Sequence, residues 1–162
     1  METRGTVVVG VDGSPSSSAA VEYALRDAAR RSARLRVVAA AQLPEYWAGP
    51  GGLYALPAPE LLIADYQREA QLIVDDVVAA LPQLAGIPVD VEAVAGTPGR
   101  VLVDASSDAD LLVLGHRGRG ALTSALLGSV GLYCVLHATC PVTVVRPSAA
   151  VEPATSMSVA TA

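Results

Sequence analysis

The chain has 162 residues, 52% of them hydrophobic, and a formal net charge of −5 at pH 7, which fits one domain with a sizeable core and argues against a nucleic-acid-binding surface. All eleven basic residues are arginines, so a Walker A phosphate loop, a Schiff base and a lysine general base are excluded. No apolar run approaches the ~18 residues of a membrane-spanning helix, and residues 1–10 lack the pattern of a signal peptide, so we expect a cytoplasmic protein that does not bind membranes.

The first predicted strand covers Gly5–Val11, a continuous apolar run of the kind found in parallel strands covered on both faces. Ser14 followed by Pro15 predicts a helix start with the serine as N-cap, and this helix extends to about Ala33. Asp12 lies between the strand and the helix. Its carboxylate either stabilises the turn or accepts hydrogen bonds from a ligand at the end of the strand.

The middle of the chain continues the alternation of strands and helices. The second strand is predicted over Leu35–Ala41. Gln42–Pro59 is rich in proline and glycine and is predicted to be a long loop, either a lid or a mobile surface segment. The second helix is predicted over Glu60–Leu84 and the third strand over Ile87–Ala95. The third helix is predicted over Arg100–Ser107, with Thr97 as its cap.

The fourth predicted strand, Asp110–Leu114, leads into a glycine-rich loop. Gly115 and Gly118 open this loop, and Gly128 and Ser129 close it at the start of a fourth helical pattern. Glycines let a backbone approach a ligand closely, and the amides at a helix N-terminus favour anions. The loop therefore predicts a phosphate site.

Three basic or titratable side chains lie in the same loop. Arg117 and Arg119 either face a phosphate or are solvated surface charges. His116, which precedes Arg117, is predicted to be exposed rather than catalytic, since no serine or cysteine triad accompanies it.

The chain closes with a fifth predicted strand over Pro141–Arg146, so the domain is expected to cover residues 1–147. Residues 148–162 have a composition typical of a disordered tail. The only two cysteines, Cys134 and Cys140, lack the spacing of zinc ligands and are predicted to be buried, reduced thiols. The order of the elements predicts a single-domain α/β fold, an open parallel five-stranded sheet with helices on both faces.

The glycine pattern resembles that of a known family. Gly115-x2-Gly118-x9-Gly128-Ser129 matches the motif G-x2-G-x9-G-[ST] of the ATP-binding branch of the universal stress protein family, and the resemblance extends over roughly residues 5–147. It implies a Rossmann-like fold of the adenine nucleotide alpha hydrolase type with strand order 3-2-1-4-5. In that order a ligand crevice opens between strands one and four.

The resemblance also implies which residues bind ATP. Ala40 would contact adenine through its backbone, and Ser129 would both cap the last helix and bind phosphate. Asp12 would contact ribose, adenine or a Mg²⁺ ion, and the sequence does not decide between these. Gly131 stands where family members commonly carry serine or threonine. The complete implied set is Asp12, Ala40, Leu114, Gly115, Arg117, Gly118, Gly128, Ser129 and Val130.

The implied function is an ATP-dependent stress or signalling regulator with slow or no hydrolysis, since no general base or nucleophile is evident. It would form a homodimer through residues 141–146 and act on an unknown regulatory protein. Three alternatives are weaker. A stress protein without nucleotide would lack the glycine motif, and an adenylating enzyme of the ATP-pyrophosphatase group would carry paired glycines after strand one. A flavodoxin-like carrier would need a phosphate loop there.

Overall fold

The computed structural model describes residues 5–42, 58–116 and 127–147. Within these residues strands and helices alternate along the chain. The strands are β1 (Thr6–Val11), β2 (Arg34–Ala41), β3 (Val89–Ala95), β4 (Leu111–Gly115) and β5 (Val142–Val145). The α-helices are α1 (Pro15–Arg31), α2 (Pro59–Ala80), α3 (Pro98–Ala105) and α4 (Ser129–His137). The predicted α/β fold is confirmed.

The five strands form one parallel sheet in the order β3-β2-β1-β4-β5, as predicted. β1 lies at the centre, where Val9 pairs with Val37 of β2 on one side and with Val113 of β4 on the other. The chain leaves β1 toward β2 and later returns on the opposite side to β4. The direction of winding therefore reverses between β1 and β4, and ligands of such folds bind beyond the strand ends at this point.

The sheet is covered on both faces because alternate side chains of each strand point to opposite sides. Val7 and Val9 of β1 pack against α1 and α2, together with Leu25 and Val74. Val8, the residue between them, packs against α3 and α4 in a second core. The inner faces of α1 and α2 also lie in or against the first core; they comprise Ala20, Tyr23, Ala24 and Ala28 of α1, and Tyr66, Ala70, Ile73 and Val77 of α2.

The ends of several elements differ from the predictions. The prediction that the second helix reaches Leu84 was wrong, because α2 ends at Ala80 and a single 3-10 turn covers Pro82–Leu84. A proline ring disfavours helical backbone at the preceding residue, and Leu81 has φ −129° and ψ 60°. Within these described segments, the Ser14 and Thr97 hydroxyls make no capping hydrogen bond although both residues occupy N-cap positions.

Parts of three predictions lie outside the described residues. They concern the loop between Gln42 and Pro59, of which 43–57 are not described, the tail 148–162, and residues 117–126 of the glycine-rich loop. Both cysteines are free, with Cys134 buried and Cys140 half-buried, and burial raises the pKa of the Cys134 thiol to about 11. In the described part of the chain, no helix is both long and apolar enough to cross a membrane.

Asp27 of α1 is a buried carboxylate held by two arginines one turn further on. Its Oδ1 accepts a hydrogen bond from Arg30 at 2.8 Å and its Oδ2 one from Arg31 at 2.5 Å. Burial by itself raises the pKa of Asp27, but the two arginines outweigh burial and lower the pKa below the ordinary value of 3.8. The ionised form of this side chain therefore stabilises the folded state.

We expect Asp27→Asn to lower the free energy of unfolding at neutral pH and to lose this effect in acid. A lowered folded-state pKa contributes stability that is present above 3.8 and disappears as the pH falls through the folded value. Urea unfolding at pH 7 and at about pH 2.5 measures this. Asp65→Asn serves as the control, because Asp65 and Arg68 form an exposed pair. An equal loss for Asp27→Asn at both pH values would contradict the interpretation.

Candidate functional site

A cleft of about 430 Å³ opens at the carboxyl ends of β1 and β4, at the point where the winding of the sheet reverses. Residues from three strands, four helices and the turns between them line it. The lining includes seven of the residues predicted to bind ATP, namely Asp12, Ala40, Leu114, Gly115, Gly128, Ser129 and Val130. The other two, Arg117 and Gly118, lie outside the described residues. Segments separated by about a hundred residues in sequence thus meet in one crevice, as the topology predicts.

Asp12 holds the turn between β1 and α1 in place. Its Oδ1 accepts hydrogen bonds from the Ser14 amide at 3.0 Å and from the Ser17 hydroxyl at 2.8 Å. The Asp12 amide in turn donates to the Ser17 hydroxyl at 3.0 Å. The interpretation of Asp12 as a turn-stabilising aspartate is therefore correct, and the same network fixes its carboxylate at the wall of the cleft.

Gly115 allows β4 to end very close to α1. A Cβ atom built on Gly115 would lie 2.8 Å from the Cβ of Ser16 and 2.9 Å from its carbonyl oxygen. Distances under 3.0 Å are closer than packed side chains allow. From the sequence, Gly115 was expected to allow close contact with a ligand. In the structure it allows close packing of β4 against α1.

Gly128 and Ser129 form the start of α4 at the edge of the cleft. Gly128 is the N-cap residue and Ser129 is the first helical residue, so the prediction that Ser129 caps the helix was wrong. Ser129 is exposed. A Cβ on Gly128 would meet no atom within 4 Å. The N-terminus of α4 thus lies at the cleft, and the free amides of a helix start favour an anion.

The opposite part of the cleft is mainly apolar. Val38 and Ala40 of β2 line it, with Leu102 of α3 and Leu114 of β4. Tyr66 of α2 also reaches it and is partly buried against the first core. The cleft therefore combines an apolar wall with a polar end that carries Asp12, Ser17, His116 and Ser129. This combination suits a ligand that joins a flat apolar group to an anionic group.

His116 corrects one prediction from the sequence. It was expected to be exposed, but it is only 8% exposed and lines the cleft. Its backbone amide donates to the carbonyl of Val145 at 2.7 Å, which ties the end of β4 to β5. This hydrogen bond continues the pairing of β4 with β5 beyond the glycine.

Ser17, Tyr66 and His116 also line the cleft, and none of them was predicted as a site residue. Ser17 is one turn into the helix that follows Asp12, so the Asp12–Ser14 turn could have indicated it. His116 could have been predicted in the same way as Gly115, because it lies at the carboxyl end of β4, where ligands of such folds bind. Tyr66 reaches the cleft from a helix far away in sequence, and no local pattern marks it.

The fold and the cleft define a class of protein: an open, doubly wound α/β domain with a cleft at the switch point of its parallel sheet. Residues 3–146 match the model of the universal stress protein family. A universal stress protein of Mycobacterium tuberculosis is 38% identical over 151 residues, covering 91% of this chain and 50% of the relative. The chain belongs to the universal stress protein family and spans about half the length of the curated relatives it matches.

Solved structures share the fold. A universal stress protein crystallised in complex with cAMP is 28% identical, with a TM-score of 0.60, and the match covers 90% of this chain and 98% of that one. UspA from Lactobacillus plantarum is 25% identical with a TM-score of 0.63, covering 90% and 100%. A universal stress protein from Archaeoglobus fulgidus in complex with dAMP is 20% identical, with a TM-score of 0.59 and coverage of 88% and 98%.

Proposed function

We propose that this protein binds ATP in the cleft at the switch point and acts as a nucleotide-dependent regulator in stress or signalling. The observation that carries the proposal is the composition of the cleft. Seven residues implied by the family resemblance line a cleft that combines apolar residues of β2, α3 and β4 with the N-terminus of α4. Adenine matches the apolar wall, and phosphates match the amides at the helix start.

The arrangement orients the nucleotide. The base would lie against Ala40 and Leu114, with backbone groups of β2 within reach of its edge. The ribose would lie near Asp12, whose carboxylate is an acceptor for hydroxyl groups. The phosphates would extend to Gly128, Ser129 and, beyond the described residues, to Arg117. The related universal stress protein that binds cAMP supports an adenine nucleotide as the ligand class.

The residues present fit Mg²⁺ only as a companion of the phosphates. In the described part of the chain, no group of three or more His, Cys, Asp or Glu side chains could hold a metal ion. Mg²⁺ usually keeps several waters and is shared between phosphates and one or two carboxylates. Asp12 would orient such waters while its Oδ1 stays in the turn network. When bound, the ion would neutralise phosphate charge.

The regulator would hydrolyse ATP slowly or not at all. Within the described part of the cleft, the Ser17 hydroxyl is held in the turn network by its hydrogen bond to Asp12, so we expect it to serve the turn rather than to attack a phosphate. Signal output would then come from the difference between the free and the bound state, read by a regulatory protein.

Calorimetric titration of nucleotide-stripped protein with ATP and Mg²⁺ tests the proposal. We expect saturable binding with a stoichiometry of about one per chain, and a higher melting temperature because a ligand that binds only the folded state stabilises it. GTP serves as the control, since the carbonyl and amino groups of guanine differ at the edge that would meet β2. Absence of heat and of any thermal shift with ATP would instead favour the protein-interaction alternative.

We also propose that two copies pair through β5. This strand forms one end of the sheet. The carbonyls of Pro141 and Val145 accept hydrogen bonds from β4, so the backbone groups of Val142 and Val144 between them point away from the sheet. The adjoining α4 exposes an apolar surface formed by Leu132, Val135 and Leu136. An open edge beside an apolar surface favours pairing with an identical edge.

Val144→Pro is expected to convert the dimer to a monomer in sedimentation velocity. Proline removes the outward amide of residue 144 and leaves the carbonyls of Pro141 and Val145 bonded to β4. Leu136→Asp tests the helix surface separately, since it leaves the backbone of β5 unchanged and should weaken the dimer. Circular dichroism checks the fold of both variants. An unmodified protein that sediments as a monomer throughout the micromolar range would contradict the pairing.

A further inference from the structure

Asp12 and His116 occupy matching positions on the two sides of the crevice. β1 and β4 pair in a constant register, with Val9 opposite Val113 as the last pair. Continued by three residues, this register places Asp12 opposite His116. The strands no longer pair at that level, and both residues line the cleft. The topology thus places a carboxylate and an imidazole across one ligand site.

The imidazole of His116 belongs to the cleft wall rather than to the solvent-exposed surface. The residue is 8% exposed, and its backbone is fixed by the bond from its amide to the carbonyl of Val145. A group held in this way loses little conformational entropy on binding a ligand. His137, the other histidine of the chain, is exposed at the end of α4, where it stacks on Tyr133.

Two titratable residues share the cleft lining with His116 among the described residues, namely Asp12, which follows β1, and Tyr66 of α2. α1 and α4 contribute the uncharged Ser17 and Ser129 to that lining. The first charged residue of α1 is Glu22, which does not line the cleft. α3 contributes only the apolar residues Pro98 and Leu102 to the cleft lining, and Arg146, which follows β5, is exposed. Arg117 and Arg119 lie outside the described residues.

We propose that His116 contacts the phosphate of the bound nucleotide and makes nucleotide affinity depend on pH. This inference rests on the proposed function. Protonated imidazole carries a positive charge, whereas the neutral form carries none. A phosphate therefore prefers the protonated form, and the Asp12 carboxylate across the crevice favours the same form. Affinity rises as the pH falls through the range in which His116 takes up its proton and is constant above it.

The test uses cAMP, since its phosphodiester keeps a single negative charge throughout the neutral range, whereas the terminal phosphate of ATP titrates there. Calorimetry at pH 8 and pH 6 compares the unmodified protein with His116→Gln and with the matched control His137→Gln. We expect the Kd of the unmodified protein and of His137→Gln to fall by about tenfold on acidification, corresponding to one unit of pKa shift on binding. His116→Gln should lose this dependence.

Proton NMR of the unmodified protein provides a second readout that does not require the variant to fold. The sequence has only two histidines, and His137→Gln identifies the ring signals of His116. Saturation with cAMP should raise the pH midpoint of these signals by about one unit. Binding without pH dependence, or a midpoint that cAMP leaves unchanged, would overturn the role of His116 and leave the proposed function standing. Failure of the unmodified protein to bind cAMP or ATP at any pH would overturn both.

Discussion

Gly128→Glu is expected to abolish ATP binding while the protein remains folded. Gly128 lies at the start of α4 with φ −60° and ψ 158°, a conformation that any residue adopts, and a Cβ there meets no atom within 4 Å. A glutamate at this N-cap position does not disturb the packing of the described residues. Its carboxylate instead occupies the part of the cleft in front of the Ser129 and Val130 amides.

The expected loss of ATP affinity is large because the carboxylate of the new glutamate and the phosphate of ATP are both negative. They would compete for the same backbone amides at the start of α4. At ~4 Å and an effective dielectric constant of ~20, their repulsion is on the order of 4 kcal/mol. We therefore expect the Kd for ATP to rise at least about a hundredfold in calorimetric titration.

Gly86→Glu is the matched control for this substitution. Gly86 is exposed in the turn before β3, and a Cβ there also meets nothing within 4 Å. The control changes the net charge by the same amount at a residue that does not line the cleft, and it should bind ATP like the unmodified protein. Normal binding by Gly128→Glu would show that the phosphates do not lie at the start of α4.

Gly115→Ala is expected to destabilise the protein, in contrast to substitutions at Gly128. The added methyl group would lie 2.8 Å from the Cβ of Ser16 and 2.9 Å from its carbonyl oxygen. Ser16 is buried, and its carbonyl belongs to the first turn of α1, so neither atom moves without shifting the helix away from β4. Overpacking of this kind costs about 1–3 kcal/mol.

Urea unfolding followed by circular dichroism measures this loss. Gly86→Ala provides the reference at an open glycine, where we expect a neutral effect or a gain of about 0.4–1 kcal/mol from the reduced entropy of the unfolded chain. ATP affinity should also fall in Gly115→Ala, because a shifted α1 carries Asp12 and Ser17 out of place. A variant as stable as the unmodified protein would contradict the close packing of β4 against α1.

The architecture was predictable because the sequence patterns are regular. Continuous valine and leucine runs marked β1, β2 and β4 as strands covered on both faces, and glycine or proline marked most of the turns. The strand order came from the family resemblance and was confirmed. Element ends were less predictable. Pro82 was a signal that the second helix ends before it. The apolar pattern continues to Leu84, however, and periodicity alone cannot separate an α-helix from a 3-10 turn that follows it.

The site was predictable where chain segments end at the switch point and less so elsewhere. Asp12, Gly115 and Gly128 were found from strand ends and glycine spacing, since both features are local in sequence. His116 is buried next to a backbone hydrogen bond to Val145, about thirty residues further on, and Tyr66 lines the cleft from α2, far from the other lining residues in sequence. Such contacts are set by tertiary packing, which no short pattern records.

The motif glycines illustrate the same limit. From the sequence, Gly115 and Gly128 had the same explanation, a close approach to a ligand. The structure separates them, because Gly115 is confined by Ser16 whereas Gly128 faces open space. Spacing selected both residues, and both line the cleft, but it could not distinguish a packing constraint from a binding surface.

The central claim is that ATP lies in the cleft with its phosphates at the start of α4 and its adenine against β2. Amide chemical shifts of isotope-labelled protein titrated with ATP and Mg²⁺ test it most directly. We predict the largest shifts at Ser129 and Val130 and at Ala40, with smaller ones at Asp12, and none at Gly86. Saturable shifts confined to residues outside the cleft, or none at all, would contradict the account.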